Sequence, residues 1–345
     1  MFNNKLIKKL KDNKIVVFGT GSFSKMVTGA IFNVSYYVDN NYKKWGRFHQ
    51  GRRIRSPLDL LNEDSESISI LVASVYYEEI KLQLIKLGFI EYKNFFDLGE
   101  ILNVFDNDNQ EEIKKLYLKH KNEVAFIVGN GPSLKLSDLE KLKNSISFGC
   151  NQVYLAFGKS SWRPTYYSVI DNMVAKNKSR EISCLEVNKF IASDLKSYFT
   201  NSKNVLWLRR LPFQYQGKKQ VYKFSEDIAQ GIYSGFSVVY TQMQIAYYMG
   251  FRKLVLLGVD FNYDFTQDTI NKKIIVNEQK KNHFHVDYFK NGEKWNKPEL
   301  KKQYEAFRAA KIFLDEKGVE VVNASRNTQL DIFPTVNYDQ VVKEN

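Results

Sequence analysis

The stretch 124–152 constrains the fold of this chain most strongly. It reads VAFIV, then GNGPS, then a segment led by Leu134, Leu139 and Leu142, and it closes with ISFGCNQ. A short apolar run that ends at glycine and proline predicts a buried parallel strand. The glycines allow a tight turn and a close approach of the backbone to a ligand. Pro132 and Ser133 are typical of a helix start, whose free N–H groups can face an anion.

Two predicted strand tips in this stretch carry side chains that suit a ligand site. The strand 124–128 runs into Asn130, Gly131 and Ser133, and the strand 146–148 is followed by Asn151 and Gln152. The carboxyl ends of strands in open α/β sheets form the ligand crevice, so we expect the two tips to converge. The alternative interpretation is an ordinary strand–turn–helix with a tight loop.

Composition bounds the class of protein. A chain of 345 residues predicts two domains, and 43% hydrophobic residues argue against disorder. Cys150 and Cys184 give neither a disulfide framework nor a metal-binding pair, which fits a reducing compartment. No apolar run reaches the length of a membrane span, and the N-terminus lacks the apolar segment of a signal peptide. We therefore expect a cytoplasmic protein, and leave open a peripheral contact with the inner membrane.

The formal net charge of +13 indicates a surface that attracts anions. The lysines and arginines are scattered, and no zinc-finger spacing, basic zipper or aromatic RNA-binding motif is present, so we predict no nucleic-acid partner. A nucleotide-sugar enzyme that works near an anionic membrane is compatible with this charge. A generally lysine-rich proteome explains it equally well, and we favour that explanation.

Residues 14–104 predict a small α/β unit. The strand 14–18 leads into Gly19-Thr20-Gly21, the start of a dinucleotide fingerprint in which Ser24 replaces the third glycine. The strand 34–38 ends at Asp39, where an acidic residue would meet a ribose. Gly19, Gly21 and Asp39 thus form a candidate accessory ligand site, although the broken fingerprint favours a loop that only turns tightly. The runs VDNNYKKWG and IRSPLDLL resemble Rossmann-like modules appended to bacterial polysaccharide-biosynthesis enzymes.

We predict three segments in the chain. Residues 1–104 form the Rossmann-like accessory domain, 105–122 a polar connector helix, and 123–345 the catalytic domain. Acidic residues open the connector and basic residues end it, which suits the helix dipole. A long polar loop is predicted at 266–281. Further strands are predicted at 69–73, 188–192, 205–208, 253–257 and 319–322, and helices at 58–61, 238–249 and 300–317. This alternation predicts an α/β fold with a mostly parallel sheet.

Five short motifs follow one another between residues 122 and 330: GNGPSL, CNQ, YSG before a long helix, LLGVDF and NHF. In order and spacing they resemble glycosyltransferase family 42, the bacterial sialyltransferases, and the wider group that includes flagellar motility accessory factors and MptE-like pyrophosphokinases. The resemblance implies a GT-A-like α/β transferase. It would move a sialic-type sugar acid from a CMP-activated donor to a surface glycan or glycolipid, with inversion and without a cofactor.

The resemblance also implies roles for individual residues. Asn130 and Asn151 would hold the nucleotide, and Ser234 and Gly235 would lie near the phosphate and donor sugar. Tyr263 is the nearest match to a tyrosine that steadies the leaving phosphate, but Asn262 stands where that tyrosine would follow Phe261. The predicted donor site also includes Gly131, Ser133, Gln152, Asp171 and Asp260.

The catalytic base stays open among three residues of one polar loop. The family's base follows an N-x-H-aromatic sequence, which Asn282-His283-Phe284 matches, and the later position falls near Asp287, with His285 between. A neutral imidazole that takes the acceptor's proton contributes about 10²–10⁴-fold to rate. No third ligand stands at metal-binding spacing from the two histidines, so we predict no metal. Two solvated loop histidines are the alternative interpretation.

Two other functions stay open. An MptE-like pyrophosphokinase would use ATP and magnesium, and Asp171, Asp260 and Asp264 could supply carboxylates. A non-catalytic nucleotide-binding or regulatory protein would keep the same fold. The expected partners of the glycosyltransferase are a nucleotide sugar and a glycan or glycolipid acceptor, and self-association into a homo-oligomer is left open.

Overall fold

The structure is a computed structural model. It describes residues 6, 8–10, 12–21, 23–26, 32–74, 76–99, 101, 107–199, 202–216, 219–262, 269–270, 273–275, 283–289 and 293–343. Contacts within the chain divide it into two compact units, Met1–Gln110 (unit 1) and Glu111–Asn345 (unit 2). This division falls inside the segment 105–122 that we predicted as the connector.

Unit 1 is built on a six-stranded sheet in the order β3-β4-β2-β1-β5-β6. In chain order the strands are β1 (Lys14–Phe18), β2 (Val34–Val38), β3 (Phe48–His49), β4 (Arg52–Arg55), β5 (Ile68–Val72) and β6 (Phe95–Asp97). All pairs are parallel except β3 with β4. The predicted bounds of β1 and β2 are confirmed. Helix α1 spans Tyr77–Lys86, and the predicted helix at 58–61 is a 3-10 helix, Pro57–Asn62.

Apolar residues on both faces explain why β1 and β5 lie centrally in this sheet. Alternate residues of β1 enter two separate buried clusters, with Val17 on one face and Val16 and Phe18 on the other. Every residue of β5 is buried. Strands covered on both faces read as continuous apolar runs, which is how the sequence revealed them.

Unit 2 is built on a seven-stranded sheet in the order β11-β10-β9-β8-β7-β14-β18. Its strands are β7 (Val124–Val128), β8 (Ser147–Cys150), β9 (Tyr166–Val169), β10 (Asn188–Ala192), β11 (Val205–Leu208), β14 (Lys253–Leu257) and β18 (Glu320–Asn323). Every neighbouring pair is parallel. The α/β fold is therefore confirmed, and the seven-stranded sheet is parallel throughout.

The strand order gives this sheet a topological switch point. From β7 the chain builds outward through β8, β9, β10 and β11, and it then returns to place β14 on the other side of β7. Ligands of open α/β sheets bind outside the carboxyl ends of the strands at such a point. We call this side of the sheet the carboxyl edge; it includes 129–133, 151–152 and 258–261.

Helices cover the sheet of unit 2. They are α2 (Asn107–Lys114), which spans the division between the units, α3 (Leu136–Lys141), α4 (Asn172–Ser183), α5 (Val238–Tyr248), α6 (Leu300–Glu316) and α7 (Tyr338–Lys343). Helix α5 is buried along nearly its whole length and packs on β7, β8 and β9. No helix among the described residues is long and apolar enough to cross a membrane.

Three predictions of secondary structure are wrong. Helix α3 begins at Leu136 instead of at Pro132 and Ser133, because the backbone there is bonded to another strand tip. The connector helix is only α2, and turns follow it. The predicted polar loop 266–281 contains strands β15 (Thr269–Ile270) and β16 (Lys273–Ile275), which join β17 (Lys294–Asn296) in an antiparallel sheet. A hairpin of β12 (Gln214–Gln216) and β13 (Lys219–Val221) was also missed.

Candidate functional site at the carboxyl edge

The turn after β7 is bonded to the end of β14. The Gly129 N–H donates to the Leu257 carbonyl at 2.7 Å, and the Gly131 N–H donates to the Gly258 carbonyl at 2.9 Å. A Cβ atom on Gly131 would lie 2.5 Å from a carboxylate oxygen of Asp260, and one on Gly129 would collide with the Gly258 carbonyl. The glycines are therefore required by the close approach of two strand tips, independently of any ligand.

Asp260 occupies the place that we expected an external anion to take. The Ser133 N–H donates to Asp260 Oδ2 at 2.8 Å, and the Ser133 hydroxyl donates to Asp260 Oδ1. Burial raises the pKa of Asp260, and the two bonds from Ser133 oppose that rise. Ser133 and Asp260, which both belong to the predicted donor site, lie together. The Ser133 hydroxyl and N–H are both bonded to the Asp260 carboxylate.

Arg326 stabilises this turn, and its role was not predicted from the sequence. Its guanidinium donates to both oxygens of Asp138, at 2.6 and 2.9 Å, and to the Ser133 carbonyl at 3.1 Å. The Asp138 side chain is only 3% exposed, so its charge needs this bidentate partner. No local signal could have found the pair, because the two residues are far apart along the chain.

Asn130 and Asn151, at the tips of β7 and β8, each hold a buried oxygen to which no described residue donates. The Asn130 amide group donates to the Cys150 carbonyl at 3.1 Å and to its sulfur at 3.2 Å, which fixes the orientation of the carboxamide. Its Oδ1 atom, like that of Asn151, is buried and has no hydrogen-bond partner among the described residues. Buried acceptors are normally bonded, so these two atoms are candidate acceptors for a water or a ligand.

The backbone of Asn151 is held in the left-handed region. Its φ is +49°, a conformation that asparagine tolerates better than most residues. The buried Tyr167 hydroxyl donates to the Asn151 carbonyl, and the Asn151 N–H donates to the Ser168 carbonyl at 3.3 Å. Strand β9 therefore fixes the second tip.

Helix α5 adds two buried polar side chains that sequence reasoning missed. Gln242 donates to the Gly149 carbonyl at 2.7 Å, next to the tip of β8. The Gln242 Oε1 and Thr241 Oγ1 atoms are buried, and neither has a partner in the part of the chain that the structure describes. The available signal was three polar residues, Thr241, Gln242 and Gln244, inside a mostly apolar helix.

The histidine-bearing segment 283–289 is bonded to both tips. The Phe284 N–H donates to the Asn130 carbonyl at 3.0 Å, and Gln152 Nε2 donates to the Tyr288 carbonyl at 2.6 Å. Gln152 is almost completely buried, and this bond anchors the segment. The structure thus brings the predicted asparagines and histidines into one neighbourhood.

His283 lies in an aromatic stack within this segment. Its ring is 3.7 Å from the Tyr288 ring centroid with nearly parallel planes, and 4.7 Å from that of Phe289. Its Nδ1 atom is buried without a partner among the described residues. Burial lowers the pKa of His283 from 6.5 to about 3. A base with so low a pKa accepts a proton poorly at neutral pH, so the geometry disfavours His283 as the base.

His285 and Asp287 form a small cap in the same segment. His285 Nδ1 accepts from the Asp287 N–H at 3.2 Å and lies 3.6 Å from Asp287 Oδ2. In the neutral ring this bond places the remaining proton on Nε2. The Asp287 side chain is 73% exposed, so it is open to solvent and to an acceptor.

The other predicted site residues have clear structural partners or lie outside the described residues. Asp171 caps α4 by accepting from the Met173 N–H at 2.6 Å, and it also accepts from Asn296 at 3.0 Å. The Ser234 carbonyl accepts from the Ser237 N–H at 3.0 Å, and a Cβ on Gly235 would collide with the Tyr240 ring. Tyr263, Asp264 and Asn282 lie outside the described residues.

Two of the three carboxylates proposed for a magnesium ion, Asp171 and Asp260, accept hydrogen bonds from protein donors, and the third, Asp264, lies outside the described residues. Asp171 caps helix α4, and Asp260 accepts hydrogen bonds from Ser133. Across the described residues, no group of three or more His, Cys, Asp or Glu side chains is placed to hold a metal ion.

The fingerprint region of unit 1 is internally bonded. Asp39 accepts from the Thr20 N–H at 3.1 Å, the Asn41 N–H at 2.9 Å and Lys44 Nζ at 2.7 Å. Burial alone would raise the pKa of Asp39, but bonds from Lys44, Thr20 and Asn41 hold it below its ordinary value. The carboxylate that would accept a ribose hydroxyl thus already has protein donors.

The two glycines of the fingerprint differ in whether the packing around them requires a glycine. Gly19 has a φ of +105°, and a Cβ there would lie 2.7 Å from the Ala73 carbonyl oxygen. At Gly21, no atom lies within 4 Å of the position that a Cβ would take. Ser24, which replaces the third glycine, donates back to the Gly21 carbonyl at 2.7 Å. The tight turn is therefore explained by packing and local bonds.

Comparison with known proteins bears on the strand tips of unit 2. Residues 100–266 match the family described as 6-hydroxymethylpterin diphosphokinase MptE-like. This MptE-like region is slightly less than half of the chain and contains the tips of β7, β8, β9 and β14. Residues 11–95 match the family described as C2185-like, N-terminal. No curated protein and no solved structure matched the chain.

The family match favours one branch of the predicted resemblance. It agrees with the MptE-like alternative and indicates an enzyme of the transferase or kinase type. It gives no support to glycosyltransferase family 42, to a sialyltransferase or to a CMP-sugar donor. The pyrophosphokinase alternative is therefore better supported than the glycosyltransferase that we expected first.

Proposed function

We propose that unit 2 is a nucleotide-dependent diphosphokinase. In this reaction an acceptor hydroxyl attacks the β-phosphorus of ATP, the bond from that phosphorus to the α-phosphate oxygen breaks, and AMP leaves. The diphosphate stays on the acceptor, and the hydroxyl proton passes to a base. The observation that carries the proposal is the MptE-like match over 100–266, since it spans the tips at the switch point.

The unpartnered oxygens at the tips support a nucleotide at this edge. Asn130 Oδ1 and Asn151 Oδ1 are acceptors, and both are buried. ATP offers matching donors in its exocyclic amino group and ribose hydroxyls. A buried acceptor left without a donor costs about 1–3 kcal/mol, so a ligand that supplies two donors gains from both. The nucleotide moiety would therefore lie beside Asn130 and Asn151.

The segment 283–289 supplies the candidates for the base in this proposal. His283 is disfavoured because its pKa is about 3. Asp287 is exposed, and His285 lies beside it with Nδ1 engaged by the Asp287 N–H. We assign proton transfer to this His285–Asp287 pair. No described residue is assigned as a metal ligand.

CMP-sugar transfer is the second candidate, and one observation favours it. The segment with His283 and His285 is bonded to both asparagine-bearing tips, as the resemblance to family 42 implied. There the acceptor hydroxyl would attack the anomeric carbon, and CMP would leave with the electrons of the broken bond. Both candidates release a nucleoside monophosphate, so they share a requirement for a site that holds one.

Product analysis separates the two candidates. Purified protein is incubated with ATP, Mg²⁺ and 6-hydroxymethylpterin, the compound in the family description, and in parallel with a CMP-activated sialic acid and a glycan. AMP and a diphosphorylated product by ³¹P NMR would support the proposal. CMP and a glycoside would support the second candidate. The absence of a stabilising effect of ATP, AMP, CTP and CMP on thermal unfolding would contradict both.

A further inference from the structure

A strongly basic segment of unit 1 has no role in the site at the carboxyl edge. Residues 42–55 read YKKWGRFHQGRRIR, with six lysines and arginines and no aspartate or glutamate. They form the 3-10 helix Tyr42–Lys44 and strands β3 and β4, and β3 is an edge strand of its sheet. We call residues 42–55 the basic hairpin.

The cations of the basic hairpin face solvent. Lys44 forms an ion pair with Asp39 at 2.7 Å. The other five, Lys43, Arg47, Arg52, Arg53 and Arg55, are all exposed, and none of them forms an ion pair with a described carboxylate. Arg55 lies near enough to Glu63 to help lower the pKa of that carboxyl, and for Lys43, Arg47, Arg52 and Arg53 no ion pair is seen among the described residues. Adjacent like charges repel one another, so this surface is complementary to an anionic partner.

Large apolar side chains are exposed among these cations. Tyr42 is 67% exposed, Trp45 42% and Phe48 66%. Phe48 lies directly opposite Arg53 across the hairpin, and the Arg53 guanidinium is 5.6 Å from the centre of the Phe48 ring. Single exposed apolar residues are ordinary, but three within seven positions at a cationic edge indicate an interaction surface.

We propose that the basic hairpin docks on a bilayer of anionic phospholipids. Each Lys or Arg near such a surface contributes about 1 kcal/mol of attraction. Tyrosine and tryptophan prefer the boundary between headgroups and acyl chains, where one end of the ring is apolar and the other is wet. The cations and the aromatic rings of the basic hairpin therefore both favour an anionic bilayer as the partner.

The orientation of the rings favours a bilayer over a single-stranded nucleic acid. Proteins bind single-stranded nucleic acids by stacking the bases on free aromatic faces. Here Arg53 covers a face of Phe48, and Trp45 Nε1 is bonded to the Asp39 carbonyl at 2.7 Å, which fixes the indole. A bilayer does not need free aromatic faces, because its headgroup layer accommodates a guanidinium and an aromatic ring side by side.

Sedimentation with vesicles tests the proposal on the full chain. The probe is a vesicle of phosphatidylcholine with phosphatidylglycerol, compared with phosphatidylcholine alone. The double variant Arg47→Gln and Arg53→Gln should weaken binding to the anionic vesicles about 30-fold, because two cations at about 1 kcal/mol each are lost and 1.4 kcal/mol is a factor of ten. Tyr42→Ser with Phe48→Ser should also weaken it.

A matched control removes the same number of positive charges from another part of the chain. Lys119→Gln with Lys121→Gln removes two exposed cations of unit 2 and should leave vesicle binding within about twofold of the unmodified chain. Thermal unfolding of every variant establishes that it is folded. Equal binding to neutral and anionic vesicles, or equal losses from the control and hairpin variants, would overturn the proposal. So would a hairpin variant that loses only binding to a single-stranded oligonucleotide.

Discussion

Histidine chemistry in this protein is decided by the surroundings of each ring. His283 stacks on Tyr288 and contacts Phe289 edge-to-face, and burial lowers its pKa to about 3. His285, two residues along the chain, caps a short helical turn and lies beside an exposed carboxylate. The sequence placed both in one loop but could not distinguish them, because the neighbours that differ are set by tertiary packing.

The low pKa of His283 predicts a pH dependence of stability. The folded pKa of about 3 lies below the ordinary value of 6.5, so the unfolded chain binds the proton more tightly. This contribution to stability is complete above pH 6.5 and is lost as the pH falls towards 3. Between about pH 7 and about pH 5 we expect a loss of about 1–2 kcal/mol in the free energy of unfolding.

Urea unfolding of the unmodified chain and of His283→Phe measures this effect. Phenylalanine keeps an aromatic ring in the stack but cannot bind a proton, so the variant should lose less stability over the same pH interval. Equal losses in the two proteins would show that His283 titrates alike in the folded and unfolded states.

The polar residues of the site divide into those visible in the sequence and those that are not. Asn130 and Asn151 could be found because each stands within a few residues of the end of an apolar strand. Arg326 could not, since its partner Asp138 lies in a distant part of the chain. Gln152 was found, but its bond to the Tyr288 carbonyl could not be predicted, because that bond depends on where segment 283–289 packs.

At the scale of elements, the turn after β7 is shaped by β14. The sequence predicted a glycine turn that receives a ligand anion, but the turn's N–H groups are bonded to the Gly258 carbonyl and to Asp260. Central strands were predicted well, since burial on both faces leaves a continuous apolar run. Short edge strands such as β12 and β13 carry no comparable pattern, so they were missed.

The close approach of the two tips predicts a steric effect at Gly131. In Gly131→Ala, the new Cβ would lie 2.5 Å from Asp260 Oδ2 and 2.8 Å from the Gly258 oxygen. We expect a loss of about 1–3 kcal/mol, measured by thermal or urea unfolding. Gly158→Ala is the control, because no atom lies within 4 Å of its Cβ position. A Gly131 variant as stable as the control would contradict this packing.

Gln152 is predicted to hold segment 283–289 on the sheet. Gln152→Leu keeps a similar volume but removes the donor to the Tyr288 carbonyl, which costs about 1–3 kcal/mol. Hydrogen exchange of the Phe284 amide, which donates to the Asn130 carbonyl, should become at least about tenfold faster.

Gln303→Leu is a matched control for this change. Gln303 also donates from a buried side chain to a carbonyl, that of Phe236 at 2.8 Å. Its loss should loosen residues 235–237 and leave the Phe284 amide unaffected. Unchanged exchange at Phe284 in Gln152→Leu would show that another contact anchors the segment.

At the scale of the whole molecule, the chain places its candidate nucleotide site in one compact unit. Every described residue that we assign to the site lies in unit 2, and the fingerprint of unit 1 is bonded internally. The sequence predicted two α/β regions because each begins with an apolar strand and a glycine turn. It could not show that both turns are bonded within their own unit, since that depends on acceptor groups from other parts of the fold.

This arrangement predicts the behaviour of a fragment. Residues 107–345 begin with α2 and contain the complete seven-stranded sheet. The fragment should unfold cooperatively and should bind nucleotide with an affinity within about threefold of the full chain, as measured by calorimetry. Binding that disappears in a folded fragment would show that unit 1 contributes to the site.

The central claim is that a nucleotide lies beside the asparagines of β7 and β8, and Asn151→Gly tests it most directly. Glycine adopts the φ of +49° without strain, so the change removes the carboxamide and little else. Asn204→Gly is the control, because Asn204 also has a positive φ, +55°, but precedes β11 at the opposite edge of the sheet. Titration with ATP, AMP and CMP should show binding at least about tenfold weaker in Asn151→Gly and unchanged in Asn204→Gly. Equal affinity of both variants for the nucleotide that the unmodified chain binds would contradict the account.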